Sequence, residues 1–312
     1  MTAELTEQLR ARLEVSSVVG LTRLSGGASR DTWRFDADGR PMILQRQRPG
    51  AERDMSTEVA VLRAAHAAGV PVAAVIDASS DPSVLGAPFM VLEAIDGETI
   101  ARKIQRDAEY ETARAALPAQ LGRAAAALHT IDGDAVPALA TIDQVEQYRE
   151  VLDALGEPHP TFELAFRWLH ANRPPTRSDT VVHGDFRLGN VIVGPDGLRA
   201  VLDWELAHRG DPMEDLGWLC VKAWRFGGRP PVAGLGEYEA LFEAYTEASG
   251  TPVDPDVVHW WEVLGTLKWG IMCIMQASSH LRGFSRSHEL AAIGRRVCEN
   301  EHDLFLALDG HW

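Results

Sequence analysis

The sequence predicts an α+β fold of two unequal lobes: a small lobe on an antiparallel β-sheet over residues 1–97, and a larger, mainly helical lobe over residues 98–312. Three features carry that expectation. Short β-branched and apolar runs joined by turn residues crowd the first hundred positions, helical periodicity runs through most of the remainder, and 312 residues with 46% hydrophobic content exceed what one small core needs.

In the N-terminal part, strand-like runs at 21–24, 31–35 and 42–47 are joined by Gly26-Gly27 and by Asp36-Ala37-Asp38-Gly39, both hairpin-type connections. A helix follows over 54–68, with Met55, Val59 and Leu62 at helical spacing and Gly69-Val70-Pro71 as its stop signal. Two more strands near 72–76 and 89–92 precede Glu93-Ala94-Ile95-Asp96-Gly97, where the pattern relaxes and the lobe boundary is placed. Beyond it, helices are expected over 111–130, 142–155, 161–171 and 213–224, with three long ones after Gly234. The greasy stretch 264–275 is too short to span a bilayer and carries Lys268, so it reads as a buried helix.

A net charge of −15 argues against nonspecific binding to nucleic acid or to anionic membranes, since both need an excess of Lys and Arg on one face. Cys220, Cys273 and Cys298 are far apart and lack metal-site spacing, and the first residues have no basic and apolar signal segment. A reducing, cytoplasmic setting is expected. Oligomeric state has no signature in the sequence.

The most informative segment is 181–205: Val181-Val182-His183-Gly184-Asp185-Phe186-Arg187-Leu188-Gly189-Asn190, then Ala200-Val201-Leu202-Asp203-Trp204-Glu205. Short strands at 180–182 and 191–193 and a tight turn at 194–197 set both aspartates on loops at strand ends, where a carboxylate meets a groove without being buried unpaired. The Asp-x-x-x-x-Asn spacing from Asp185 to Asn190 is that of a phosphoryl-transfer catalytic loop. In such a loop the first carboxylate orients and deprotonates an attacking hydroxyl, and the amide and the second carboxylate, Asp203, hold a metal ion against nucleotide phosphates. His183 reads as a structural residue bonded to loop backbone. Asp211 reads as the N-cap of the next helix, with Pro212 at its first position, and Asp215 as an orienting group for the catalytic loop.

A nucleotide site needs further parts. The tip Ser25-Gly26-Gly27-Ala28-Ser29 would let backbone N–H groups approach phosphate oxygens. Glu58 lies near the apolar stripe of its helix, and an inward carboxylate needs a cation, which in phosphoryl-transfer lobes is a strand lysine. The first lysine of the chain is Lys103, so another residue must serve. Strand alternation puts Met42, Leu44 and Arg46 on one face and Ile43 and Gln45 on the other; Arg46 is the expected substitute, and a one-residue change of register would leave Gln45 there instead.

Together these residues resemble the aminoglycoside phosphotransferase-like kinase superfamily, related in fold to protein kinases and choline kinases. The likeness runs from Leu24 to about Trp224, and rests on the glycine hairpin, Phe89-Met90-Val91-Leu92-Glu93 as hinge, the His183–Asn190 loop, and Val201–Glu205 with Gly210-Asp211-Pro212-Met213-Glu214-Asp215. The last pair is similar to the subgroup found beside or fused to acyl-CoA dehydrogenases. The resemblance implies a bilobal, protein kinase-like fold and a small-molecule kinase that moves the γ-phosphate of ATP, or GTP, to a hydroxyl with Mg²⁺. It assigns Asp185 as catalytic base, Asn190 and Asp203 as Mg²⁺ ligands, Glu58 as the helix acid of an ion pair, and the backbone at Glu93 to Ile95 as the adenine contact.

The acceptor is a small molecule expected in the helical lobe, against the region holding Trp218, Trp224, Trp260, Trp261 and Trp269. Two other readings stand beside this one. The missing strand lysine suggests a catalytically silent nucleotide-binding scaffold. Alternatively, His183, Asp185, Asp203, His208 and Asp211 could ligate a dinuclear hydrolase centre.

Overall fold

A computed structural model describes residues 2–24, 30–48, 55–175 and 179–310. The N-terminal part is a five-stranded antiparallel sheet in the order β1-β2-β3-β5-β4, formed by β1 (Val18–Arg23), β2 (Arg30–Ala37), β3 (Arg40–Gln47), β4 (Val75–Ser79) and β5 (Phe89–Glu93). The expected connection at Asp38-Gly39 is a two-residue turn, with Ala37 opposite Arg40. Its other expected hairpin tip, Ser25 to Ser29, lies outside the described residues.

Alternation along the strands divides this sheet into two faces with different neighbours. On one, Phe35, Leu44, Phe89 and Val91 pack with Leu5 and Leu9 of α1 (Thr2–Arg12) and Leu85 of α3 (Pro82–Leu85). On the other, Ile43, Met90 and Leu92 join Met55, Val59 and Leu62 of α2 (Met55–Ala67) in the main core. α2 also touches the short helical turn Trp204–Leu206, so the sheet's helix lies directly beside Asp203.

Residues after the sheet are mainly helical, as the periodicity predicts: α4 (Ala101–Arg106), α5 (Glu111–Leu128), α6 (Gln144–Leu155), α7 (Pro160–Ala171), α8 (Met213–Cys220), α9 (Tyr238–Ser249), α10 (Pro255–Leu281), α11 (His288–Ile293) and α12 (Val297–Leu308). The expected helix over 213–224 is shorter, because α8 ends at Cys220 and a 3₁₀ turn takes over at Lys222–Arg225. The stretch 264–275 is the buried middle of α10, and no described helix is long and apolar enough to cross a membrane.

Two small antiparallel ribbons are set among the helices. β6 (Thr180–Val182) pairs with β9 (His208–Gly210), and β7 (Val191–Gly194) with β8 (Gly197–Val201). Their ends project the loops that carry Asp185, Asn190 and Asp203.

α5 and α9 approach closely at Gly122, where an added Cβ would lie 2.5 Å from the Leu241 carbonyl oxygen and 3.2 Å from the Tyr245 nitrogen. Gly122→Ala is expected to cost about 1–3 kcal/mol by overpacking, read as a lower urea midpoint. An unchanged midpoint would show that the two helices part without penalty.

Candidate active site

The catalytic-loop segment is shaped by backbone constraints before any chemistry. Gly184 has φ +77°, and a Cβ there would stand 2.5 Å from the Leu206 carbonyl oxygen, so this turn requires glycine. The buried Asp215 carboxylate, on α8, accepts the backbone N–H groups of His183 (2.8 Å) and Gly184 (2.9 Å), and meets His129 Nε2 at 3.1 Å. Burial alone would raise its pKa, but the His129 hydrogen bond and the nearby charges outweigh that and hold it below the usual value.

His183 Nδ1 accepts the N–H of Asp185 at 3.2 Å, so its Nε2 is the nitrogen that donates to the Leu202 carbonyl, 2.9 Å away. Burial pulls its pKa down and keeps it neutral. The ring therefore ties the Asp185 loop to the residue before Asp203, as expected of a structural histidine.

Asp185 ends up held from three sides. Its Oδ1 accepts from Trp218 Nε1 (2.7 Å) and Arg187 Nε (2.9 Å), and its Oδ2 from Asn190 Nδ2 (2.6 Å). Asn190 also donates to the Asp185 carbonyl at 3.0 Å, which commits its amide nitrogen and leaves the amide oxygen as the donor atom for a cation.

Asp203 has a left-handed backbone, φ +65° and ψ +62°, uncommon for a residue with a side chain. The residue is open to solvent, yet its carboxyl is crowded. Desolvation first, then the negative charges of Glu205, Asp185 and Glu58, push its pKa up to about 6, with Arg187 opposing. Asp185, Asp203, Glu205 and Glu58 thus converge on one region from three segments: the loop after β6, the turn at 203–206 and α2.

Glu58 is buried, as its position near the apolar stripe implies, but the expected partner is corrected. Arg30, at the start of β2, makes the bidentate pair: Nη1 lies 2.6 Å from Glu58 Oε1, Nη2 contacts Oε2, and Nη1 also donates to Gln45 Oε1 at 3.1 Å. Arg46 stands opposite Asp31 and Phe89 in the sheet, with its guanidinium 5.5 Å from the Trp33 ring. The alternation placing Arg46 with Met42 and Leu44 is right, but that face packs against α1 and α3, whereas α2 covers the face of Ile43 and Gln45. Trp33 and Phe35, facing the first side, mark Arg30 as facing the second; that pattern in β2 was the missed signal.

Glu205, Arg187 and Trp218 are the other residues that sequence reasoning did not place at the centre. Arg187 is two residues from Asp185 and lies 4.7 Å from the Trp224 ring. Trp218, Trp224 and Trp269 form one buried cluster, with ring centroids 5.1 and 4.8 Å apart, while Trp260 and Trp261 belong elsewhere. The tryptophans expected to receive an acceptor are thus two separate sets, and Trp218 bonds Asp185 directly.

His208 and Asp211 do not join this centre. His208 bonds Leu206 O and Glu214, and Asp211 Oδ1 accepts the Met213 N–H at 2.9 Å, the capping role expected of it. With His183 also committed to backbone, the ligand set of the hydrolase reading is not assembled.

Glu93 and Ile95 stand at the end of β5 and on the connector into the helices, with the Glu93 N–H bonded to Ala74 O.

The chain is similar to known proteins in both sequence and fold. Residues 20–258 match the model of a family described as phosphotransferase enzymes. A curated relative, acyl-CoA dehydrogenase family member 10 of Mus musculus, is 27% identical over 237 residues, covering 70% of this chain and 22% of that protein. The chain spans roughly a fifth to a third of the length of the curated relatives it matches. Among solved structures, a Ralstonia eutropha protein described as an aminoglycoside phosphotransferase superposes with TM-score 0.80 at 23% identity, covering 98% of both chains. Spectinomycin phosphotransferase APH(9)-Ia, solved with ADP and spectinomycin, superposes with TM-score 0.67 at 12% identity over 98% of both chains. These likenesses show the bilobal α+β, protein kinase-like fold.

The crowding of Asp203 has a stability consequence. Its folded pKa of about 6 exceeds the unfolded value of about 3.9. The fold therefore favours the protonated form, a contribution present below the unfolded value and lost as pH rises through the folded one. Solvent access limits that loss to about 1 kcal/mol or less. In magnesium- and nucleotide-free buffer, Asp203→Asn is expected to melt above wild type at pH 8 and level with it at pH 4. Melting below wild type at pH 8 would contradict the crowding.

Proposed function

The chain belongs to the phosphotransferase enzyme family, and from that premise we propose that it moves the γ-phosphate of ATP to a hydroxyl of a small molecule, with Asp185 as catalytic base. The observation that carries this reading is the convergence of Asp185, Asn190 and Asp203, with Glu58 and its arginine beside them. The ADP bound in a solved structural neighbour supports the choice of nucleotide.

The residues fit a divalent cation. Asn190 and Asp203 offer hard oxygen donors, and the mutual repulsion among Asp203, Glu205, Asp185 and Glu58 is what a bound cation relieves. Two protein ligands suit Mg²⁺, which completes its shell with water and phosphate oxygens; bound there, it would neutralise charge on the phosphates.

The chain's own residues do the positioning. Asp185, oriented by Trp218, Arg187 and Asn190, accepts a hydrogen bond from the acceptor hydroxyl and takes its proton as the new P–O bond forms and the bond from the γ-phosphorus to the β,γ-bridging oxygen breaks, releasing ADP. Arg30, fixed by Glu58 and Gln45, supplies the positive charge toward the α- and β-phosphates that a strand lysine supplies elsewhere. Ser25, Gly26, Gly27 and Ser29, which lie outside the described residues, are assigned to the phosphates on their glycine-rich sequence, and the backbone at Glu93 and Ile95 is assigned to adenine. Residues 1–97 form the nucleotide-binding lobe, and residues 98–312 carry the catalytic loop and acceptor site.

Magnesium-dependent ADP release is to be measured against a panel of alcohols, amino alcohols, sugars, aminoglycosides and hydroxyacyl thioesters. The expected result is release that depends on one acceptor class and falls by about 10²–10⁴-fold in Asp185→Ala, with the melting transition retained. Wild-type-like turnover in that variant would overturn the assignment of the base. ATP binding without acceptor-dependent release across the panel would favour the silent scaffold.

A further inference from the structure

Lys268 is a buried cation to which the proposed transfer gives no task. It stands in the middle of α10 and is 6% exposed. A buried ammonium persists only where acceptors and counter-charge offset its lost hydration, so its neighbours identify its role. Nζ donates to Gln144 Oε1 at 3.2 Å and to the Gly184 carbonyl at 3.3 Å. It also lies over the Trp218 ring, 4.6 Å from the centroid, and 5.9 Å from the centroid of Tyr148.

Neutralising Glu214 does not account for this placement. Nζ is 3.8 Å from Glu214 Oε1, beyond hydrogen-bond distance, while Glu214 Oε2 meets His208 Nε2 at 3.0 Å. A lysine serving only as counter-ion would close onto its carboxylate, because a charge-assisted bond between two ions is shorter and stronger than one to a neutral acceptor. Here both hydrogen bonds go to neutral oxygens, and one of these belongs to the residue before Asp185.

That contact completes a clamp on the backbone. The peptide unit joining Gly184 to Asp185 is held at its oxygen by Lys268 and at its nitrogen by His183 Nδ1, which accepts the Asp185 N–H at 3.2 Å. The Asp185 side chain is reached by a second route. Trp218 Nε1 donates to Oδ1 at 2.7 Å, and the face of that same indole lies under the ammonium. A cation over the ring draws electron density from the indole and makes its N–H a stronger donor. One charge thus meets both the backbone support and the side-chain support of Asp185.

We propose that Lys268 is a positioning residue for phosphoryl transfer, fixing the direction of the Asp185 carboxylate through the Gly184 carbonyl and the Trp218 indole. This rests on the reading of Asp185 as base, so the test includes two readouts that need no turnover. Lys268→Met removes the charge and keeps much of the side chain's bulk. In the full chain, the Trp218 indole N–H resonance, identified by its loss in Trp218→Phe, is expected to move upfield in Lys268→Met, and hydrogen exchange at the Asp185 amide to quicken about tenfold or more. With Mg·ATP and the most active member of the hydroxyl panel, kcat should fall about 10–100-fold while KM for ATP changes by less than about twofold.

Lys268→Met also takes a cation from beside the buried Glu214. Should it fold poorly, Lys268→Met/Glu214→Gln removes both charges and is expected to fold and to show the same three changes. In the variant that folds, an unmoved indole resonance, unchanged exchange at Asp185, undiminished kcat, or a KM for ATP rising in step with the loss of kcat overturns the assignment. No ADP release by the wild type across the panel counts against the transfer reading and not against Lys268, whose hold on indole and loop is decided by the resonance and the exchange rate.

Discussion

One buried carboxylate sets the geometry of the whole centre. Asp215 has no access to solvent and accepts two successive backbone N–H groups of the catalytic loop while pairing with His129, which reaches on to Tyr245 Oη at 3.0 Å. Those amides follow β6 in a turn that has left the ribbon, and they would otherwise be buried donors without acceptors. With them pinned, Gly184 takes its left-handed turn and Asp185 emerges where Trp218, Arg187 and Asn190 reach its two oxygens. A helix core, a ribbon end and the Asp185 carboxylate are thereby held in one hydrogen-bonded unit.

The contrast between Asp215 and Asp203 is instructive. Burial raises the cost of ionisation for both, but Asp215 is surrounded by donors and a histidine, whereas Asp203 is surrounded by carboxylates. The first is a satisfied anchor and is held ionised. The second is a destabilised carboxyl on a left-handed residue, so backbone strain and unrelieved repulsion meet in one place.

Much of this was legible in the residues alone, because the catalytic loop is local: Asp185 to Asn190 is five residues, and strand-turn punctuation at 180–197 places both ends. The hydrophobic periods likewise marked the helices and the sheet. What could not be read locally was which face of the sheet α2 covers. Arg46 and Gln45 differ by one residue and point to opposite sides, so the identity of the Glu58 partner depended on long-range packing of α1 and α3 against Leu44 and Phe89. Trp218 and Lys268 were opaque for the same reason. An indole and a lysine on separate helices read as part of an acceptor-facing aromatic region and as a residue of a buried helix until the fold sets one against the carboxylate of Asp185 and the other against the carbonyl of Gly184.

The central claim is that loop, ribbon and sheet deliver Asn190 and Asp203 to one shared metal–nucleotide position beside Asp185. Crystals grown with Mn²⁺ and a non-hydrolysable ATP analogue test it most directly through anomalous scattering. The account predicts a nucleotide-dependent manganese peak within coordination distance of Asp203 and Asn190, lost in Asp203→Ala. A nucleotide bound with its phosphates away from these residues, or manganese seated elsewhere, would contradict it.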